Sequence, residues 1–291
     1  MNDAIRKAAA LIEALPYLRR FRDRLVVIKL GGSAMEDRAA LHTTLQDVVF
    51  LAAVGLRPIL VHGGGKPIDR AMAAAGLTPR KVLGRRYTDA ATLEIVVRVL
   101  IDEINHDIVQ QIHQAGGRAV GLHRPPLAPL FGERLMIDGT DLGFVGRVTR
   151  VDTDLLRSFT AGGVIPVLPS VALDASNGWL NINADTAAAA VAANMKAEKL
   201  VFLSDTPGIL SNRHDESTLI PHLDAAGCQG LIRQGIIDSG MIPKVEACLE
   251  ALRDGVGKTH MIDGRVPHSL LLEIYTDQGV GTEIVQEGSK A

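Results

Sequence analysis

The sequence contains little that would support a disulfide scaffold, a membrane span or a nucleic-acid surface. Only two cysteines occur among 291 residues and they form no CxxC pair, which predicts two reduced, buried thiols. The formal net charge of −2 argues against binding to nucleic acid or to an anionic membrane. No apolar run reaches membrane-spanning length, and acidic residues near the start argue against a signal or transit peptide. We therefore expect a cytoplasmic protein.

Aromatic residues are also scarce, at 3%, whereas hydrophobic residues make up 47% of the chain. This composition favours a large aliphatic core. Apolar runs of strand length alternate with stretches of helical periodicity, which predicts a three-layer αβα sandwich with a mainly parallel central sheet. The predicted strands are 25–30, 58–62, 118–122, 164–167, 199–203, 258–262 and 282–285. The predicted helices are 2–15, 38–54, 66–75, 89–114, 183–196, 222–234, 243–254 and 267–275. Hairpins and loops are expected over 123–150.

The first 24 residues differ from the rest in composition and are predicted to form an N-terminal helical arm. Six lysines and arginines occur there against three acidic residues. The helical pattern over residues 2–15 is expected to end before Pro16, because proline disrupts a helix interior. We therefore divide the chain into an arm, residues 1–24, and one large domain, residues 25–291.

Two predicted strands end in glycine clusters, at residues 31–32 and 63–65. Bare backbone N–H groups beside a helix N-terminus suit phosphate oxygens. Three consecutive glycines exceed what a turn requires, so a ligand is expected to approach this backbone closely. Lys29 lies inside the first strand, where its ammonium group either meets an anion or extends to water from the strand end. Taken together, these features favour phosphoryl transfer.

Six motifs, taken in order, resemble the acetylglutamate kinases of the amino-acid kinase superfamily over about residues 25–285. They occupy residues 28–32, 62–65, 84–88, 181–185, 203–209 and 240–246. The resemblance implies the amino-acid kinase fold, with an acyl-substrate lobe at about 25–174 and a nucleotide lobe at about 175–291. It implies transfer of the ATP γ-phosphoryl group to the side-chain carboxylate of N-acetyl-L-glutamate, in arginine biosynthesis. Mg²⁺ is expected to arrive with ATP, and no tightly bound cofactor or protein metal site is expected.

The resemblance assigns catalysis to Lys29, Lys244 and Asp185. Both lysines are expected to contact the transferring phosphoryl group, and Asp185 is expected to hold them in place. A carboxylate acceptor is already ionised at neutral pH, so the reaction needs positioning and positive charge and no general base. The alternative for Asp185 is a cap of the alanine-rich helix that follows it.

Substrate-binding roles fall by resemblance on Gly64, Gly65, Arg86 and Asn181. Arg86 is expected to bind the α-carboxylate through two parallel hydrogen bonds, which a lysine cannot form. The alternatives are a surface arginine and a turn asparagine. The nucleotide is assigned to Gly31, Gly32, Asp205, Gly208, Ile209, Leu210, Ile236, Ile237 and Asp238. Of these, the two glycines at 31–32 are expected to donate backbone N–H groups to the phosphates.

The N-terminal arm resembles that of the arginine-sensitive members of the family. This implies inhibition by L-arginine and a homo-hexamer built as a trimer of dimers. The residues assigned to arginine are Tyr17, His268, Glu273 and Gly279. The alternative is a helix that only covers the core of its own subunit.

One segment departs from the family pattern. Residues 123–126 read His-Arg-Pro-Pro where the family has a Gly-Lys-Asp type of loop near the acyl pocket. Two other functions therefore stay open. One is a kinase for a carrier-linked, aminoadipate-type carboxylate. The other is a non-catalytic arginine sensor, which would be expected to lack one of the three assigned catalytic residues, whereas this sequence keeps them all.

Overall fold

A computed structural model describes residues 2–31, 35–82, 84–238, 240–276 and 279–286. The strands are β1 (Leu25–Leu30), β2 (Arg57–His62), β3 (Lys81–Val82), β4 (Arg85–Arg86), β5 (Ala119–Gly121), β6 (Leu130–Ile137), β7 (Thr140–Val151), β8 (Ile165–Pro169), β9 (Val171–Leu173), β10 (Trp179–Ile182), β11 (Lys199–Ser204), β12 (His222–Asp224), β13 (Lys258–Asp263) and β14 (Thr282–Val285). The α-helices are α1 (Asn2–Phe21), α2 (Arg38–Ala53), α3 (Gly65–Ala74), α4 (Ala90–Val97), α5 (His106–Gln114), α6 (Thr153–Ala161), α7 (Ala184–Met195), α8 (Ala225–Arg233), α9 (Ile242–Arg253) and α10 (Ser269–Tyr275). A π-helical segment, Arg98–Asn105, joins α4 to α5, and Glu216–Thr218 form a 3-10 turn.

The central sheet has eight strands in the order β12-β14-β13-β11-β1-β2-β8-β5. All neighbouring pairs are parallel except β13 and β14. The predicted three-layer fold with a mainly parallel sheet is therefore confirmed. Strands β6, β7, β9 and β10 form a separate small closed sheet. The β6–β7 hairpin agrees with the hairpins expected over 123–150, whereas β9 and β10 were not predicted. The division into two lobes stays a prediction, because one sheet runs through both.

The two faces of the sheet are built by the period-two alternation of β1. Val26 and Ile28 pack into the core that contains residues of α2, α5 and α10. Val27 packs into the other core, with residues of α7 and α9. Side chains alternate along a strand, so Lys29 shares the face of Val27 and points towards α7. Alanines supply most of the buried face of α7, which lets this helix approach the sheet closely.

The first helix corrects the prediction that helix 2–15 ends before Pro16. Helix α1 continues through Pro16 to Phe21. A proline inside a helix removes one backbone hydrogen bond and costs about 3 kcal/mol. The end of the helix is held instead by tertiary packing, since Phe21 is buried in the core and Tyr17 packs against it. Residues 222–224 are a second correction, because they form β12 ahead of α8.

The long helix predicted over 89–114 is present, but its middle is a π-helix ending at Asn105. The carboxamide Nδ2 of Asn105 lies 3.0 Å from the Val167 carbonyl oxygen and 3.1 Å from Nε2 of His62. Both side chains are buried. Burial lowers the pKa of His62 to about 4, so this histidine is neutral at pH 7.

We expect His62 to make the fold sensitive to acid. Its pKa is about 6.5 in an unfolded chain, so between pH 6.5 and 4 the unfolded state binds more protons than the folded state. The free energy of unfolding should therefore fall as the pH is lowered through this window, by up to about 3 kcal/mol from this group. Urea unfolding at pH 7 and pH 4.5 measures the fall, which should be smaller in His62→Asn. The exposed histidine variant His42→Asn is the control and should keep the wild-type fall; equal falls in both variants would contradict the assignment.

Candidate active site

A cleft of about 330 Å³ opens at the carboxyl ends of β1 and β2, where parallel α/β sheets usually bind ligands. It contains all but one of the residues assigned to the acyl substrate and to catalysis. Its lining residues are Lys29, Gly63, Gly64, Gly65, Ile68, Lys81, Gly84, Arg85, Arg86, Val145, Ser170, Asn181, Ile182, Asn183, Ala184 and Asp185. Four cationic side chains and one carboxylate meet there, so the cleft suits an anionic ligand.

Lys29 and Asp185 form a buried ion pair at the base of this cleft. Lys29 Nζ lies 2.8 Å from Asp185 Oδ1, and both side chains are almost fully shielded from solvent. Asn183 caps α7, because its Oδ1 accepts hydrogen bonds from the N–H groups of Asp185 and Thr186 at 2.9 and 3.1 Å. Asp185 therefore pairs with Lys29, and the N-cap of α7 is Asn183. Removing one partner of such a pair strands a buried charge.

The glycine loop after β2 presents backbone N–H groups to the cleft. Gly64 is the N-cap of α3 and has no side chain to cap the helix. Within the described residues, the N–H groups of Gly64 and Gly65 have no hydrogen-bond acceptor. A Cβ at position 64 would lie 2.7 Å from Ile104 Cδ1, so any other residue would force this buried packing to shift. The exposed helix N-terminus is an anion-binding element.

Arg86 is held in the cleft by several partners. Its Nη1 lies 2.6 Å from Asp69 Oδ1, and its Nη2 donates to the Gly65 carbonyl oxygen at 3.2 Å. Asn181 Nδ2 donates to Thr88 Oγ1 at 3.0 Å, and Thr88 Oγ1 in turn donates to the Arg86 carbonyl oxygen at 3.2 Å. The side chain of Arg86 is largely buried, so the surface interpretation does not hold.

Gly31 corrects one part of the sequence interpretation. Its N–H donates to the Leu203 carbonyl oxygen at 3.1 Å, so this amide continues the sheet and is not directed at a phosphate. A Cβ at this position would lie only 2.6 Å from the same oxygen. Glycine is needed here because β1 and β11 approach each other closely at their ends. Gly32 lies outside the described residues.

Lys244 does not join Lys29 and Asp185 in this structure. It lies in the first turn of α9 and lines neither this cleft nor the nucleotide cleft described below. Among the described residues it has no ion pair within 4.0 Å. Helix α9 does pack against α7, the helix that carries Asp185. Burial raises the pKa of Cys248, and the charge of Asp185 adds to that rise. The predicted role of Lys244 stays a prediction, and it requires Lys244 to approach when substrates bind.

A second cleft, of about 240 Å³, contains six of the residues assigned to the nucleotide. Its lining residues are Thr206, Gly208, Ile209, Leu210, Arg213, His214, Ile236, Ile237, Asp238 and Met241. Asp205 is next to this cleft but is not part of its lining. The apolar side chains suit a planar base. Thr206 Oγ1 is buried here and has no hydrogen-bond partner among the described residues, so it is available to a ligand.

Several cleft residues were not found from the sequence. Lys81 and Arg85, which lie on the paired strands β3 and β4, line the first cleft. Arg213 lines the second cleft. The adjacent positive charges at 85–86 were a usable signal, whereas the isolated Lys81 and Arg213 gave none. The loop at 123–126 lines neither cleft, and Arg124 pairs at 2.9 Å with Asp102.

A third cleft, of about 240 Å³, lies at the start of β11 and β13, beside the last turn of α1. It contains Tyr17, Glu273 and Gly279 of the residues assigned to arginine. The full lining is Tyr17, Arg20, Phe21, Glu198, Lys199, Pro221, His222, Lys258, His260, Glu273, Ile274, Thr276, Gly279, Gly281 and Glu283. His260 Nδ1 lies 2.7 Å from Glu273 Oε1. Burial alone would raise the pKa of Glu273, but this contact with His260 holds the pKa below its usual value.

His268 is a correction, because it does not line the third cleft. Its Nδ1 lies 2.6 Å from Asp47 Oδ1 on α2. His268 precedes α10 with a positive φ of 58°, and in this conformation its ring reaches α2, so it joins α10 to α2.

No helix within the described residues is long and apolar enough to cross a membrane.

A model of the amino acid kinase family matches residues 24–263. The chain is 45% identical over 285 residues to an acetylglutamate kinase of Syntrophomonas wolfei, which covers 98% of this chain and 99% of that protein. Among solved structures, it resembles N-acetylglutamate synthase from Neisseria gonorrhoeae in complex with coenzyme A and N-acetyl-glutamate. The match to this synthase has a TM-score of 0.87 at 29% identity, and it covers 97% of this chain and 64% of the synthase chain.

A second structure of the same synthase, with coenzyme A and L-arginine, gives a TM-score of 0.80 at 30% identity, over 96% of this chain and 65% of the synthase chain. Our chain thus spans slightly less than two thirds of the synthase. The acetylglutamate kinase, by contrast, is matched along nearly its whole length. The chain therefore belongs to the amino acid kinase family and, within it, to the acetylglutamate kinases.

Proposed function

We propose that this protein transfers the γ-phosphoryl group of MgATP to the side-chain carboxylate of N-acetyl-L-glutamate, in arginine biosynthesis. The observation that carries the proposal is the buried Lys29–Asp185 pair beside the open N-terminus of α3. Family membership and the N-acetyl-glutamate in the related synthase structure support the choice of acceptor.

The reaction brings a carboxylate up to a polyanion, so repulsion is the main obstacle. The remedy is positive charge already fixed where the phosphoryl group crosses. Lys29 supplies an ammonium group whose position is set by Asp185 at 2.8 Å. The N–H groups of Gly64 and Gly65, which have no acceptor among the described residues, supply partial positive charge without a mobile side chain. Lys244 completes the set in this proposal by approaching from α9.

Substrate orientation falls on the residues at the mouth of the cleft. Nη1 of Arg86 contacts Asp69 and Met72, and Nη2 donates to the Gly65 carbonyl oxygen; the remaining N–H groups, on Nε and Nη2, suit the acceptor's α-carboxylate. Asn181 adds an amide beside it. The apolar cleft around Ile209 and Ile237 takes the adenosine part of ATP, and Mg²⁺ arrives bound to the phosphates.

The direct test is an acyl-phosphate trap. Purified protein with MgATP, N-acetyl-L-glutamate and hydroxylamine should form the hydroxamate, which ferric ion detects. Turnover of a carrier-linked aminoadipate-type acceptor, with none of free N-acetyl-L-glutamate, would replace the proposal with the sister kinase. ATP binding without turnover of either acceptor would indicate a non-catalytic sensor.

Two variants of the buried ion pair can separate the effect of Lys29 on turnover from its effect on folding stability. Lys29→Met should lose about 3–5 kcal/mol of stability, because it leaves the Asp185 carboxylate buried and unpaired. The double variant Lys29→Met/Asp185→Asn should recover most of that stability, since no buried charge is left. Turnover should be lost in both variants, because both lack the Lys29 ammonium group.

Urea unfolding and the hydroxamate assay measure the two effects. Lys66→Met is the matched control, because Lys66 is exposed and lies outside the cleft. Restored turnover in the double variant would show that Lys29 acts only through stability.

We further propose that L-arginine inhibits the enzyme by binding in the third cleft, and that six copies assemble through α1. The cleft combines carboxylates with the ammonium groups of Lys199 and Lys258, which suits a ligand that has both a guanidinium and a carboxylate. The arginine-bound synthase structure supports the ligand. Ile5 and Ile12 are 60% and 70% exposed on α1, which supports an apolar contact between copies.

Replacing Tyr17 by alanine should weaken inhibition. Loss of an aromatic contact is worth up to about 1.5 kcal/mol, so the L-arginine concentration for half-inhibition should rise about three- to tenfold. Rates across an L-arginine titration measure this. Arg19→Ala lies in the same helix but outside the cleft and should leave the curve unchanged. Light scattering should give six copies of the 31.0 kDa chain for each protein. A wild-type rate that saturating L-arginine leaves unchanged would end this proposal.

A further inference from the structure

We propose that His62 and Asn105 are positioning residues which hold the Gly63–Gly64 peptide in the orientation that turns the Gly64 N–H into the active-site cleft. The inference rests on the proposed phosphoryl transfer, because it assigns that N–H to the reacting groups. Neither side chain lines the cleft, so both act through the glycine loop.

The contacts form one continuous chain from the core to the loop. The Val167 carbonyl oxygen on β8 lies 3.0 Å from Asn105 Nδ2, and the same nitrogen lies 3.1 Å from His62 Nε2. His62 Nδ1 lies 3.1 Å from the Gly63 carbonyl oxygen. His62 is 0% and Asn105 is 2% exposed, so water does not compete for these contacts.

The partners fix where each proton lies. The Val167 carbonyl oxygen only accepts, so it must face the amide nitrogen of Asn105 and not its oxygen. The second hydrogen of that nitrogen then points to His62 Nε2, which must accept. His62 is neutral and carries one ring proton, which is therefore on Nδ1 and donates to the Gly63 carbonyl oxygen. A neutral histidine that donates in this direction is a fixed support and not a general base.

The Gly63 carbonyl controls the neighbouring N–H because both belong to one rigid unit. In a planar trans peptide, the carbonyl of Gly63 and the N–H of Gly64 point in opposite directions. Holding the carbonyl towards the buried histidine therefore directs the N–H the other way, towards the cleft that Gly64 lines. Glycines have few steric limits on rotation, so a loop of three would otherwise sample many peptide orientations.

The π-helix explains how one helix reaches both sides of the loop. Leu100 and Ile104 lie under Gly64, where a Cβ would be 2.8 and 2.7 Å from their methyl groups. Asn105, the next residue, turns inward to His62 at the end of the π segment. Gly121 leaves room for its carboxamide, since a Cβ there would lie 2.1 Å from Asn105 Oδ1. π-Helical segments inside α-helices often occur at functional sites.

The competing explanation is a buried polar pair that only stabilises the core. The two explanations differ for a variant that keeps the donor to Gly63 and loses the rest of the ring. In His62→Asn, the amide nitrogen takes the place of Nδ1, whereas His62→Leu fills similar space and donates nothing. A purely structural role predicts that kcat follows stability in both variants.

The first measurement does not depend on activity. ¹⁵N NMR of histidine-labelled wild-type protein should show His62 as the Nδ1–H tautomer, with no titration between about pH 5.5 and 8. An Nε2–H tautomer, or titration within that range, would overturn the proposal even if the protein proved to have another function.

The second measurement is the hydroxamate assay on the variants. His62→Leu and Asn105→Leu should lower kcat at least about tenfold, with the KM for ATP within about twofold of wild type. His62→Asn should restore kcat to within about threefold of wild type. Thr160→Val is the control, because Thr160 is buried on α6 and donates to the Leu156 carbonyl oxygen away from the clefts. It should lower the melting temperature without changing kcat.

Two results would contradict the inference. One is an equal loss of kcat in His62→Asn and His62→Leu at matched thermal stability. The other is a wild-type kcat in His62→Leu. Failure of the wild-type protein to form any hydroxamate is a different result: it would refute the proposed function, while the tautomer measurement still decides how the glycine loop is held.

Discussion

The buried ion pair between Lys29 and Asp185 is the constraint around which the first cleft is organised. An ammonium group inside a sheet is unfavourable unless an anion meets it, and a carboxylate inside a helix–sheet junction has the same requirement. The alternation of β1 directs Lys29 towards α7, and the alanines of α7 let the helix come close enough for a 2.8 Å contact. Asn183 caps the helix and so leaves Asp185 for the lysine.

Around this pair the protein uses backbone groups where side chains would be too large or too mobile. Gly31 lets β1 and β11 approach at their ends, and Gly64 lies directly on the π-helical segment. The N–H groups at the start of α3 then face the cleft without competition from a capping side chain. Fixed dipoles of this kind stabilise developing charge because they need no reorganisation during the reaction.

The third cleft lies at the opposite end of the central sheet from the first cleft. Lys199 begins β11 and lines the third cleft, whereas Leu203, near the other end of β11, accepts the hydrogen bond from Gly31 at the end of the sheet where the first cleft opens. A strand of this length spans roughly 20 Å. The two clefts therefore lie at opposite ends of one sheet and share no lining residues, and among the described residues α1 lines the third cleft but not the first.

Local patterns in the sequence determined the order of most strands and helices and the bounds of β1 and β14, because periodicity and glycine position act over a few residues. Helix α6 and strands β9 and β10 were not predicted. That residues 29, 64, 86, 181 and 185 meet in one cleft was implied by the family resemblance and not by local pattern. Contacts between distant segments decided the rest. Packing of Phe21 carried α1 past Pro16, and the π-helix arose where Asn105 meets His62. The Gly31 N–H donates to the Leu203 carbonyl oxygen, and His268 contacts Asp47. Asp185 forms its ion pair with Lys29 and not with Lys244. These outcomes depend on which partner lies nearest in the folded chain, and local sequence does not encode that distance.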